Sequence, residues 1–244
     1  MKRLALILSL VLPLPAMAAG TFTPPEGCTA WMTVQSRACR VSQYYKCTAD
    51  APGDQWRADF DQDGMFFASR IDGETQWAES WDLNPKVRQT LDPGAADPAN
   101  FSALLSEGID AFDFRLSKDD GRQSHVTGFD KLTGKTVMID GITLQQTEYE
   151  YEERDGDGNM LRRAKGTEYI SAQWRSFFAG PGQWDGGNGE YLPIDGSPVS
   201  FVFPGEPGFA ATEPLFECDA ILSGLPKPGL PQSRAPEGVI RVRN

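Results

Sequence analysis

The chain has 244 residues, of which 11% are aromatic, and a net charge of −11. Acidity on that scale repels phosphate backbones and anionic lipid surfaces, so nucleic acid is not an expected partner. The length and the 40% hydrophobic content are enough for one sizeable core and exclude a chain that is disordered throughout.

Lys2 and Arg3 precede an apolar run from Leu4 to Leu14, and Ala16-Met17-Ala18 follows it. This is the layout of a secretory signal peptide cut after Ala18. The run is far short of the roughly 20 apolar residues that a membrane-spanning helix needs. Cys28 lacks the small apolar stretch that precedes a lipidated cysteine. The expectation is a periplasmic or secreted bacterial protein without a stable membrane anchor. Residues 1–18 would be removed, 19–222 would form a β-rich domain, and 223–244 would be a flexible Pro-rich tail. The removed segment carries no acidic residue, so losing Lys2 and Arg3 takes the charge to −13.

An exported chain with an even number of cysteines reads as a disulfide framework. The four are Cys28, Cys39, Cys47 and Cys218, and none forms the CxxC spacing of a zinc or redox site. Residues 39–47 read as one strand, which holds its ends roughly 27 Å apart. A disulfide needs α-carbons within about 7 Å, so Cys39–Cys47 is excluded. A hairpin turning near Ser36-Arg37-Ala38 would set Cys28 opposite Cys47. That favours Cys28–Cys47 and leaves Cys39–Cys218.

Further along, alternating apolar and polar residues between turn signals predict antiparallel strands. Trp56, Ala58 and Phe60 share a face, and strands at Met65–Ile71 and Gln76–Leu83 complete a three-stranded meander. Asp59, Asp61 and Asp63, followed by Gly64, match the first half of a calcium loop. Arg70 stands where the bidentate acid belongs, so these three are a weak metal set. Trp77, Glu79 and Trp81 alternate onto one face. A carboxyl between two indoles would have a raised pKa and could act as an acid, and the two rings could contact a ligand.

One helix is predicted, with Asp97 as its N-cap, Pro98 at its first position and Gly108 just past its end. Strands follow at Phe112–Leu116, Gln123–Phe129, Lys135–Ile139 and Ile142–Arg154. His125 is the only histidine of the chain. It lies on a strand with Gln123 and Thr127 and has no nucleophile motif beside it, which makes it a weak catalytic candidate. The clearest hairpin spans residues 147–171 and turns at Asp155-Gly156-Asp157-Gly158-Asn159. Ser171–Phe178 and Val199–Phe203 are further strands, and Trp174 on the first is a third aromatic ligand candidate. Residues 179–198 read as a Gly-rich excursion.

The reading is a mainly β protein: a single antiparallel, strongly curved sheet or open barrel of about 10–12 strands with one short helix. A curved sheet rich in inward aromatics can enclose a cavity. The architecture is similar to that of lipocalin-like carriers, although no correctly placed G-x-W motif is present. The function expected is therefore non-enzymatic binding of an apolar, lipid-like molecule, with no cofactor. The alternatives are an interaction module for an envelope protein, and a hydrolase of an envelope polymer acting through Glu79.

Overall fold

The computed structural model describes residues 20–218. The expected signal segment, its cleavage site and the Pro-rich tail lie outside the described residues. Thirteen strands form one antiparallel sheet. They are β1 (Cys28–Ser36), β2 (Arg40–Cys47), β3 (Gln55–Asp61), β4 (Gly64–Ile71), β5 (Glu79–Leu83), β6 (Lys86–Leu91), β7 (Ile109–Lys118), β8 (Gln123–Ile139), β9 (Ile142–Asp155), β10 (Met160–Ser171), β11 (Ser176–Asp185), β12 (Leu192–Asp195) and β13 (Pro198–Val202). The helix α1 spans Phe101–Glu107.

From β1 to β12 every strand pairs with the next, as a meander should. Only β13 departs: it leaves β12 and pairs with β1 at the opposite edge. Since only Gly196 and Ser197 separate β12 from β13, the two edges of the sheet are drawn to one place. No hydrogen-bonded ladder joins them, so the barrel is open. Side chains seal the seam instead. Met32, Val34, Tyr44 and Phe201, from β1, β2 and β13, pack on Phe178 of β11 and Leu144 of β9, with Val137 and Ile139 of β8 beside them. The edge strands are short and begin at or contain proline (Pro198, Pro193), which discourages pairing with a second molecule.

The helix closes one end. Phe101 and Leu104, each 1% exposed, pack against Ile170 and Phe177, at the ends of β10 and β11, and against Leu132 at the register shift within β8. The other end stays open, between the turns at residues 119–122 and 156–159 and the loop at 186–191. Tight strand approach inside the sheet depends on glycine at one point in particular. A Cβ on Gly128 would lie 2.4 Å from the Glu150 carbonyl and 2.7 Å from the Phe112 ring.

Both disulfides are formed. Cys28 and Cys47 face each other across β1 and β2, and Cys39 is bonded to Cys218. The second bond ends a strap, residues 208–218, which lies along the outer face of β1 and β2. A buried polar row holds it there. Ala210 N donates to Thr33 Oγ1 at 2.8 Å, Gln43 Nε2 donates to the Ala211 carbonyl at 2.6 Å, and Gln35 bonds both Glu213 and Leu215.

Several expected boundaries change. β6 carries too few apolar residues to show alternation, and its pairing with β5 and β7 makes it a strand. The two segments expected at 123–129 and 135–139 are one strand interrupted by a register shift between Leu132 and Thr136. β11 starts at Ser176 and runs through Gly180-Pro181-Gly182 to Asp185, and together with β12 it makes just over half of the expected excursion strand. A register shift at Gly166/Glu168 accommodates that proline. The helix cap is Asn100, whose side chain accepts from Ala103 N at 2.8 Å. Asp97 is instead bridged to Asp113 in the sheet, with backbone bonds of 3.0 and 2.7 Å.

Candidate functional site

The inner faces of the strands surround a cavity of about 1180 Å³, above the roughly 300–1,000 Å³ of common small-molecule sites. It lies below α1 and reaches solvent at the open end. Its wall is mixed in character. Phe67, Phe112, Phe114, Trp77 and Tyr151 supply ring faces, and charged groups from eight strands lie between them.

The charges form three groups. In the first, Arg57 of β3 and Arg40 of β2 lie on either side of Asp59, which is 2% exposed. Arg57 Nε stands 3.1 Å from Asp59 Oδ1, and Ser42 Oγ donates to the same oxygen at 2.7 Å. Tyr44 is hydrogen-bonded to Arg57. Arg40 Nη2 donates to the Gly196 carbonyl at 3.3 Å, whereas its buried Nε has no partner. Burial lowers the Arg40 pKa, and the neighbouring Arg57 adds to the effect.

The second group is acidic. Asp110 and Asp130 are cross-strand partners on β7 and β8, and Glu168 projects from β10. Burial pushes the Glu168 carboxyl up to about 7, with Arg57 opposing the shift. Asp130 is raised well above its ordinary value by burial, then by the charges of Glu168 and Asp110. Asp110 is raised by burial, although it accepts a hydrogen bond from Asn100 N. Like charges this close cannot all ionise without cost, so the group holds protons.

The third group is a paired network nearer the open end. Glu153 is ion-paired to Arg162. Burial alone would raise Glu153; Arg162, Ser124 and Lys118 outweigh it and hold the carboxyl low. Burial raises Asp82 and lowers Lys118 in the same network, and Asp82 Oδ1 has no hydrogen-bond donor.

The residues singled out from sequence are scattered over this frame. Trp77 precedes β5 and reaches the cavity, with its ring 5.5 Å from Phe114 and 6.1 Å from Tyr151, both edge-on. Trp81 packs under Lys86 and Arg88, at 5.1 and 5.3 Å. Glu79 therefore has arginines for neighbours. It accepts from Arg70 Nε at 3.0 Å and from Arg88 Nη2 at 2.8 Å. Burial would raise it, but Arg88 and Arg70 hold it below the ordinary carboxylate value. A carboxylate held ionised in this way is a poor proton donor. Trp174 lies in the β10–β11 turn and is taken up by the seam, with Trp31, Phe178, Phe201 and Phe203 all within 6.1 Å. It also borders a smaller pocket of about 400 Å³. His125 Nε2 is 2.6 Å from Asp113 Oδ1, and among the described residues no nucleophilic side chain is bonded to the ring.

Asp59, Asp61 and Asp63 do not converge. Asp59 turns to Arg57 and Ser42, while Asp61 Oδ1 accepts from Asp63 N at 2.7 Å to close the turn. Among the described residues, no group of three His, Cys, Asp or Glu side chains is arranged to hold a metal ion. The inward charges of β2, β3, β8 and β10 were missed because alternation shows only that such residues share a face. In most sheets the polar face is the wet outside. The one available signal was the spacing of Tyr44, Arg57 and Glu168 opposite faces that were themselves rich in Tyr, Phe and Ala.

No family model matches this chain, and no curated protein is similar to it in sequence. Among solved structures, the chain is similar to a Bacteroides fragilis protein provisionally described as exported and as having a YmcC-like fold. That similarity covers 76% of this chain and all of the other, at 12% identity and a TM-score of 0.41. An overlap this loose supports no functional argument.

Proposed function

We propose that this is an extracytoplasmic binding protein whose barrel interior takes up a small amphipathic molecule. The observation that carries the reading is the large cavity, with ring faces and incompletely partnered buried polar groups on the same wall. A cavity meant to stay empty would be expected to collapse onto its aromatic side chains, and a purely apolar cargo would leave buried atoms such as Arg40 Nε and Asp82 Oδ1 without partners. The mixed wall therefore favours a cargo with an apolar body and a polar head over the wholly apolar, lipid-like cargo that composition suggests. Export is supported by the two disulfides, which persist in oxidising compartments. No helix among the described residues is long and apolar enough to cross a membrane.

Native mass spectrometry of protein purified from the periplasm tests this reading. The expected result is a bound species of small-molecule mass that is lost in a variant with the cavity filled at Ser69 or Ser80, such as Ser80→Trp. Spectra free of adducts, together with no uptake of an amphipathic fluorescent dye, would overturn it.

A further inference from the structure

The Arg40–Arg57 pair indicates which head group the cavity accepts, granted the binding function proposed above. The two guanidiniums flank one fixed carboxylate, Asp59, so the three groups carry a single excess positive charge. The other carboxyl near Arg57 is Glu168. Burial holds its pKa at about 7, so it does not reliably cancel that charge. Arg40 spends one hydrogen bond on the Gly196 carbonyl, and both arginines border the cavity. The Tyr44 hydroxyl adds a polar group at the same place. Beside it the wall turns apolar, because the Arg57 guanidinium lies 5.7 Å from the centre of the Phe67 ring. Phe112, Phe114 and Trp77 continue that surface around the cavity.

We infer that the cavity binds an amphipathic carboxylate, its head between Arg40, Arg57 and Tyr44 and its apolar body against Phe67, Phe112 and Trp77. A carboxylate fits for two reasons. Its single charge balances the single excess cation, whereas a dianion would overshoot it. Its two oxygens also match the fork of guanidinium donors.

Calorimetric titration of the full chain at pH 7 with three ten-carbon probes separates the outcomes. The probes are decanoate, decanol and decyltrimethylammonium. Decanoate should bind at least ten-fold more tightly than decanol, and the cation should bind worst. In Arg57→Gln and Arg40→Gln the ratio of decanoate to decanol affinity should fall about ten-fold, and Arg57→Lys should restore part of it. Equal affinity for decanoate and decanol, or preference for the cation, would overturn the carboxylate assignment and leave the binding function standing. Failure of all three probes to bind would overturn both.

Discussion

Burying a carboxyl among other carboxyls costs free energy whenever it ionises, and Glu168 shows the consequence for stability. Unfolded, it titrates near its ordinary 4.5; folded, at about 7. Between these values the folded protein keeps a proton that the unfolded chain has released, so stability falls as pH rises from 4.5 to 7. Asp130, raised by burial and by Glu168, acts with the same sign. Glu153 and Glu79 act with the opposite sign. Arginines hold them low, so their contribution is present above the ordinary carboxylate value and is lost as pH falls through their folded values. Above the ordinary carboxylate range the raised groups dominate, so stability should fall from pH 5 toward pH 7.5. Urea denaturation should find the protein more stable at pH 5 than at pH 7.5 by on the order of 2–3 kcal/mol. Glu168→Gln should reduce that difference, leaving the part that burial of Asp130 supplies. Identical midpoints for the unsubstituted protein at the two pH values would refute the protonated group. At this scale little was legible in advance. Glu79 could be placed on a strand from its neighbours, but not beside Arg70 and Arg88, which lie nine residues away on either side and reach it only through strand pairing.

Among the elements, α1 has a role out of proportion to its seven residues. It is too short to be stable alone, so its two buried side chains must hold it in place. Phe101 lies edge-on to Phe177, with centroids 5.4 Å apart, and Arg175 stacks over its other side at 5.0 Å. Glu74 fastens the helix start by accepting from Ser102 N at 2.9 Å and from Arg175 Nη2 at 2.7 Å. Gly108, at φ 82°, ends the helix in a conformation that a side chain would resist. Phe101→Ala should cost about 3–5 kcal/mol. It should also raise amide hydrogen exchange at α1, around Leu132 of β8 and at the end of β10, because the plug would loosen. Unchanged exchange there would show that the helix does not close this end. The helix was legible from Gly108 and from the Phe101–Leu104 spacing. Its cap was not, because Asp97 and Asn100 are both good capping residues and the sheet claims the first. The strands β8, β9 and β10 were legible because alternation and turn signals agree. β6 and β11 were not, because only their neighbours make them strands.

For the whole molecule, the two disulfides do unequal work. Cys28–Cys47 closes 19 residues and Cys39–Cys218 closes 179. Chain-entropy reasoning assigns them about 3 and about 5 kcal/mol. Replacing Cys39 and Cys218 by serine should therefore lower the melting temperature more than replacing Cys28 and Cys47. Equal losses would mean that the polar row of Thr33, Gln35 and Gln43 already holds the strap without its covalent end. The β class, the curved single sheet and the favoured cysteine pairs could be read from sequence, because alternation, turn residues and the reach of a strand are local properties that any fold must respect. The barrel's closure could not. It depends on β13 pairing with β1 across more than 160 residues of chain, and no local pattern encodes that choice. Whether the polar face of each strand met water or a cavity was also undecided, since alternation separates two faces without saying which is enclosed. Closure settled that question, and in doing so it brought Arg40, Arg57 and Glu168 from three separate strands into one interior.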